Sequence, residues 1–265
     1  MDALERIAAA LERLAPPPPV PADLLAHPAY AWVDGALLPI AAAALPLDRL
    51  IGLDRQRDLL LANLTRLADG HAAHDVLLWG ARGSGKSALA KAAVAAVQAE
   101  RPQLMLVVAG ALEGLPALFE GLAGVPRPAA VFVDDVGVDA PADARALRSL
   151  LEGGAAPRPA GVRLLVTSNR RHLSPRDMAA QADAVNGRDV ADDQLALADR
   201  FGLSLGFHAL DQEGYLAIVA RYAERYGLRA EPAEALAWAA RRGSRSGRVA
   251  WQFITEVAGR AGRAI

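Results

Sequence analysis

The chain has 265 residues, 53% of them hydrophobic, and a formal net charge of −1. That length allows one large domain or two smaller ones, and the near-neutral charge gives no global electrostatic case for nucleic acid or an acidic membrane surface. Cysteine is absent, which excludes disulfides and thiolate zinc sites and fits a reducing compartment, so the expected location is cytoplasmic. The start, Met1-Asp2-Ala3-Leu4-Glu5-Arg6, lacks a basic region followed by an apolar run, so no secretory signal is expected. The longest apolar stretch, Ala36 to Leu47, is interrupted by Pro39 and Pro46. It falls short of the roughly 20 residues that span a bilayer, and no membrane segment is expected.

In chain order, Leu4, Ile7, Ala8, Leu11 and Leu14 form one helical stripe over residues 2–14. Two readings stay open for it: a partner-docking helix, or a helix packed on its own protein. Pro16 to Pro19 ends it as a stiff, extended spacer. Tyr30 to Leu38 carries an Asp34-Gly35 turn between apolar flanks, a hairpin signal. Residues 21–48 read as an extension wrapped on the core, so that helix, spacer and extension together take up residues 1–48. Leu59, Leu60, Leu64 and Leu67 then mark a helix over Leu53–Ala68, closed by Asp69-Gly70.

Strand and helix alternate from there. Strands are expected at Asp75–Trp79, Leu104–Ala109, Ala129–Asp134, Gly161–Thr167 and Gly202–Phe207. Helices are expected at Ser87–Gln98, Ala111–Gly121 and Pro141–Glu152, with loops and small helices over Ser168–Arg200. Such alternation argues an α/β fold, a parallel sheet flanked by helices. The tail, residues 208–265, reads as three helices: Gln212–Tyr226, Glu231–Arg242 and Gly247–Ala261.

Between the first strand and its helix stands Gly80-Ala81-Arg82-Gly83-Ser84-Gly85-Lys86-Ser87, followed by Ala88. It fits the G-x-x-x-x-G-K-[ST] phosphate-binding loop. Glycines let the backbone N–H groups curl inward as an anion nest. Lys86 supplies a positive charge for the terminal phosphates, Ser87 a hydroxyl ligand for Mg²⁺, and the following helix its positive dipole end. Val131-Phe132-Val133-Asp134-Asp135 is an apolar strand ending in two carboxylates. In a phosphate-loop protein, Asp134 can hold the Mg²⁺ and Asp135 can polarise an attacking water. The alternative for Asp135 is a capping or solvated carboxylate. Leu164 to Asn169 is a strand with a polar end, whose amide can position water or touch a γ-phosphate.

These three segments come in the order and spacing of AAA+ ATPases, with a helical lid after them, so the chain resembles that superfamily over roughly residues 49–265. Leu50-Ile51-Gly52-Leu53-Asp54-Arg55-Gln56, Leu77 to Gly83, Ser168 to Leu173 and Ser246 to Ala250 further resemble a bacterial ATP-binding family catalogued only as a domain of unknown function. The resemblance implies ATP and Mg²⁺ as cofactors, an ATPase activity, and a P-loop NTPase core (residues 49–207) with central strand order 5-1-4-3-2 and a lid (208–265). It implies that Asn169 is the sensor-1 residue and that Leu50, Ile51 and Gly52 lie beside the adenine. It makes Arg200 an arginine finger reaching a neighbouring subunit, hence a homo-oligomer; the alternative is a salt bridge with Asp199 or Asp193. Arg248 becomes sensor 2, with Arg245 as its rival. Most AAA+ proteins have Asp-Glu where this chain has Asp134-Asp135, and the shorter side chain is expected to slow hydrolysis or remove it.

Other features carry less. His71 and His74 have no carboxylate or cysteine cluster beside them, and a metal site is not expected. Arg241, Arg242, Arg245, Arg248, Arg260 and Arg263 make the lid basic; a solvated face is favoured there over a nucleic-acid patch. Arg170, Arg171, His172 and Arg176 follow sensor 1 and stand open between a subunit interface and solvent. The expected function is Mg-dependent ATP hydrolysis coupled to lid and subunit motion on an unknown macromolecule. The rivals are a non-hydrolysing ATP-dependent switch or scaffold that recruits a partner through residues 1–48, and a DNA-associated loader.

Overall fold

The structure, a computed structural model, describes residues 23–137, 141–153, 158–169 and 200–265. The stripe at 2–14, the proline spacer, Asp193, Asp199 and the Arg170–Arg176 cluster lie outside the described residues.

A hairpin comes first, β1 (Ala29–Val33) and β2 (Ala36–Pro39). Asp34 and Gly35, at φ 49° and 79°, both take the left-handed conformation that a two-residue hairpin turn requires. The core follows as α1 (Asp54–Ala68), β3 (Val76–Gly80), α2 (Lys86–Glu100), β4 (Met105–Ala109), α3 (Leu115–Leu122), β5 (Ala129–Val133), α4 (Pro141–Leu151), β6 (Val162–Ser168) and β7 (Leu203–Phe207). Helix α3 starts four residues later than its sequence pattern suggests, behind a turn in which Leu115 N–H donates to the Leu112 carbonyl. The lid is α5 (Gln212–Tyr226), α6 (Pro232–Arg241) and α7 (Gly247–Arg260).

The sheet runs β2-β1-β4-β5-β6-β3-β7 and is parallel except for the β1–β2 pair. Its five right-hand strands, counted in chain order, are 2-3-4-1-5, the expected order read from the other edge. The extension does more than wrap. Its hairpin lengthens the sheet, with Ala29 in register with Leu106 and Trp32 with Ala109, so the outer backbone groups of β4 are paired rather than left at an edge. Arg127 fastens the approach to this hairpin by donating to the carbonyls of Leu24 and His27 at 2.9 and 2.7 Å. Among the described residues of the extension outside the hairpin, Leu24 before it and Ile40 and Leu47 beyond it pack against the core.

Alternation along the strands builds two layers. Leu77, Val107, Val131, Val133, Leu164 and Val166 face α3 and α4 through Leu115, Leu118, Phe119 and Leu147. Val76, Leu78, Leu106, Phe132, Leu165 and Phe207 face α1 and α2 through Leu60, Leu64, Leu89, Ala90, Ala93 and Val94. The alanines of α2 leave little between helix axis and sheet, which fixes the start of that helix over the end of β3. The lid has a third core of its own, centred on Tyr215, Phe253 and Ile254. Ile51 packs onto it from the chain entering α1.

Candidate nucleotide site

Strand β3 ends at a position only glycine can fill. Gly80 has φ 132°, and a Cβ there would lie 1.9 Å from the Phe207 carbonyl oxygen of β7. The chain then curls through Gly83 (φ 75°) and Gly85 (φ 98°) into α2, which starts at Lys86 with no acidic residue in its first turn. Free amides and the positive helix end thus face the loop with no carboxylate of that turn to compete for them.

Lys86 is buried, 5% exposed, and its Nζ donates to the Gly80 carbonyl (2.9 Å), the Ala81 carbonyl (2.8 Å) and Asn169 Oδ1 (2.9 Å). Burial pulls its pKa below the ordinary lysine value, and the charges of Asp135 and Asp134 oppose that shift. Ser87 Oγ donates to Asp134 Oδ1 at 2.6 Å. Asp134 sits just past the end of β5, beside the end of β6, since Val133 and Val166 are in register.

Thr167 organises both carboxylates. Its hydroxyl donates to Asp134 Oδ1 (2.6 Å) and accepts from the Asp135 N–H (2.8 Å), and its carbonyl accepts from Val136 N–H (2.8 Å). Asp135 takes φ 55°, a left-handed conformation unusual outside glycine. Asn169 Nδ2 donates to Asp135 Oδ1. Asn169 therefore joins Lys86 on one side to Asp135 on the other.

A cleft of about 400 Å³ runs from these groups to the lid. Gly83, Gly85, Lys86, Ser87 and Ala88 line it with Asp134, Asp135 and Asn169, and Arg248 and Gly247 close it from the start of α7. Leu50 lines its far end; Ile51 and Gly52 are not among the described residues that do. Ile51 joins the lid core, and Gly52 supplies a left-handed turn at φ 74°. The far end is instead completed by Leu45, Arg49, Tyr222 and Trp251, with the Tyr222 and Trp251 rings edge to face at 5.4 Å. Sequence reading missed these. Trp251 follows Arg248 by three residues and so shares its face of α7; that spacing was the one available signal.

The rival arginines separate. Arg248 lines the cleft, whereas Arg245 lines a second hollow behind the loop with Ala81 and Ser84; Arg82 borders both. Arg200 lies elsewhere. Leu203 of β7 is in register with Val76 and Phe207 with Gly80, so Arg200 stands at the opposite end of the strands from the phosphate loop. That separation is at least roughly 13 Å at the strand rise. Its guanidinium pairs with Glu152 at 2.7 Å. His74 is tied through its backbone to Asn63, and no metal-binding cluster of three His, Cys, Asp or Glu occurs among the described residues. Nor is any helix among them long and apolar enough to cross a membrane.

A family described as protein of unknown function, DUF815, matches residues 25–261. The chain belongs to the DUF815 family. No curated protein matches it. Among solved structures, the Thermotoga maritima RuvB Holliday junction branch migration motor is similar at 18% identity and a TM-score of 0.50, covering 79% of this chain and 63% of that one. The Aeropyrum pernix ORC1 protein, solved in complex with DNA, is similar at 16% identity and a TM-score of 0.56, covering 84% and 63%. The DUF815 chain thus spans less than two thirds of either. Its fold is that of the AAA+ P-loop NTPases, with a helical lid beside the mostly parallel sheet.

Proposed function

We propose that this DUF815 chain binds ATP with Mg²⁺ and hydrolyses it by in-line attack of water. The observation that carries the reading is the continuous side-chain path Lys86–Asn169–Asp135, beside the Ser87–Asp134 pair, at the mouth of a glycine loop that opens a helix. Lys86 would exchange the Gly80 and Ala81 carbonyls for phosphate oxygens. The loop from Gly80 through Ala81, Arg82, Gly83, Ser84 and Gly85 to Ala88 would cradle the remaining phosphates with its amides.

Ser87 and Asp134 fit Mg²⁺: both are hard oxygen donors, they converge at 2.6 Å, and nucleotide-bound Mg²⁺ takes only one or two protein oxygens. When bound, the ion would neutralise charge on the phosphates. Asp135 would accept the proton of the attacking water, and Asn169 would hold that carboxylate and the water in line. Leu50 would border the base, and Arg248 would couple the lid to the γ-phosphate.

Arg200, at the far end of the strands from its own loop, would serve the site of a neighbouring copy, making the protein a homo-oligomer with shared sites. One observation favours a second reading, an ATP-dependent switch without turnover. Asp135 is one methylene shorter than the usual glutamate and is held by Asn169. A DNA-associated role would draw on the exposed Arg241, Arg242 and Arg245 of the lid. Two of these already stack on Trp238, at 5.8 and 4.7 Å.

The test is ATP turnover per subunit against protein concentration, with Lys86→Ala as background. Turnover that rises with concentration and vanishes in the variant supports shared hydrolytic sites. Nucleotide binding with turnover at background throughout moves the reading to a switch.

A further inference from the structure

The hollow behind the phosphate loop is separate from the cleft. Gly83 sits so close to the turn before α7 that a Cβ on it would lie 3.1 Å from Ser246 Oγ. The cleft takes Gly83, Gly247 and Arg248, whereas the hollow, of about 380 Å³, takes Ser84, Arg245 and Ser246. Arg82 and Arg245 have no ion-pair or side-chain hydrogen-bond partner among the described residues. Nor does any acidic side chain among them line the hollow. Two guanidiniums, one from the loop and one from the lid, thus border one space without a counter-charge. Hydroxyls add to them. Ser246 is 6% exposed, and its Oγ accepts from the Val249 N–H at 3.3 Å while keeping its own proton to donate. Ser244 brings a second hydroxyl, but Ser84 already gives its proton to the Ala81 carbonyl at 2.7 Å. Leu210 and Leu236, half-buried at the rim of the lid core, supply an apolar floor.

We infer that this hollow is a second ligand site, which takes a small phosphate monoester: Arg82 and Arg245 hold its phosphate, its carbon part lies on Leu210 and Leu236, and the bound ester ties the phosphate loop to the lid. A guanidinium has N–H donors and no acceptor, so two of them with two hydroxyls call for a ligand rich in acceptor oxygens. A phosphate monoester meets that with three strong acceptor oxygens and close to two negative charges. A carboxylate offers two oxygens in one plane, enough for one guanidinium fork but not for two. The space is that of a small-molecule pocket, and its apolar floor beside a few polar groups suits an ester better than a bare ion. The site itself stands without the nucleotide reading. Its effect on nucleotide rests on that reading. An ester held by Arg82 and Arg245 at once fixes the loop against the turn that leads to Arg248, so ester and nucleotide each tighten the other.

The experiment is a calorimetric titration of phenyl phosphate into the full chain saturated with Mg²⁺ and a non-hydrolysable ATP analogue, at constant ionic strength, so that the phosphate loop is already filled. Inorganic phosphate and benzoate are the comparison probes, and Arg245→Gln and Arg245→Lys the variants. Wild type should bind one phenyl phosphate per chain. Inorganic phosphate, which lacks the apolar part, and benzoate, which lacks the third oxygen, should each bind about tenfold more weakly. Arg245→Gln should weaken phenyl phosphate about tenfold, the scale of one lost hydrogen bond to a charged group, and Arg245→Lys should recover part of the loss. Arg245 is exposed, and unchanged binding of the ATP analogue in the absence of ester shows that the variants are folded. In wild type, saturating phenyl phosphate should tighten the analogue about fivefold, and Arg245→Gln should lose this effect. Phenyl phosphate that binds Arg245→Gln as well as wild type overturns the site. Binding seen only in the nucleotide-free chain puts the ester in the phosphate loop and overturns it too. Inorganic phosphate or benzoate as tight as phenyl phosphate overturns the monoester. Analogue affinity that is unmoved or weakened overturns the tie between loop and lid. A chain that binds no ATP analogue brings down the nucleotide reading alone, since phenyl phosphate binding that is lost in Arg245→Gln still supports the hollow.

Discussion

Lys86 and Asn169 meet at 2.9 Å across 83 residues of sequence, and the same Asn169 side chain donates onward to Asp135. The amide is oriented by both partners at once: its oxygen must face the lysine and its nitrogen the carboxylate. Asn169→Ala removes both contacts and leaves Lys86 with its two loop carbonyls. ATP affinity should change less than tenfold, while turnover should fall about 10²- to 10³-fold, the scale of losing one positioned polar group in a transition state. Nucleotide titration and steady-state turnover on the same preparation separate the two effects.

Thr167 is the hub for both carboxylates, and it is 1% exposed. Thr167→Val keeps the shape and deletes the hydroxyl, leaving the Asp135 N–H without its 2.8 Å acceptor and Asp134 without one donor. Loss of a partner from a buried polar group costs about 1–3 kcal/mol. The variant should melt several degrees lower and should need more Mg²⁺ to reach half-maximal nucleotide binding. A Mg²⁺ titration at fixed ATP checks the second point, and a melt without nucleotide checks the first.

Gly80 and Gly35 both hold positive φ, but for different reasons. A Cβ at Gly80 would strike the Phe207 carbonyl at 1.9 Å, whereas a Cβ at Gly35 meets nothing within 4 Å. Gly35→Ala should therefore cost only the conformational strain, about 1–2 kcal/mol. Gly80→Ala must also part β3 from β7 and should cost more than about 4 kcal/mol. Denaturant midpoints for the two variants should differ accordingly; equal midpoints would show that β7 yields easily and that the loop is not fixed by it.

The glycine loop, the carboxylates after β5 and the amide after β6 were legible because they are local patterns, and the fold brings them together at one cleft. The hairpin turn was legible from Asp34-Gly35 for the same reason. Its destination was not, because pairing with β4 depends on a free sheet edge some 70 residues away in the chain, as Ala29 and Leu106 show. The cleft wall was hidden for a related reason. Arg49, Tyr222 and Trp251 come from three elements that meet only when the lid docks. The resemblance implied Ile51 beside the adenine; in the structure it packs onto the lid core instead. Residues that act through tertiary meeting leave little trace in spacing.

Lys86 also predicts a pH effect. Its folded pKa lies below the ordinary 10.5 because burial disfavours the charged form. Between the depressed value and 10.5 the unfolded chain holds more protons than the folded one, so stability should rise with pH in that window. Below the folded pKa this contribution is flat. Lys86→Met lacks the group, so wild type should gain stability relative to the variant as pH climbs toward 10.5, read as the difference between their urea midpoints. Nucleotide affinity should move the other way over the same window, as the charge that meets the phosphates is lost.

The proposed trans role of Arg200 gives a mixing experiment. Lys86→Ala should abolish a subunit's own phosphate site while leaving its Arg200 able to serve a neighbour. Arg200→Ala should do the reverse, lowering turnover about 10³-fold, the scale of losing an arginine finger, with nucleotide binding kept. Its pair with Glu152 is partly exposed and its loss should cost at most about 1 kcal/mol, and a thermal melt of the variant checks that it is folded. Each variant alone should be inactive. Mixed and allowed to exchange, they should form junctions in which an intact phosphate site meets an intact arginine, and turnover should reappear at a substantial fraction of wild type. Arg200 acting within its own subunit predicts no recovery at any mixing ratio, because no subunit in the mixture then carries a complete site.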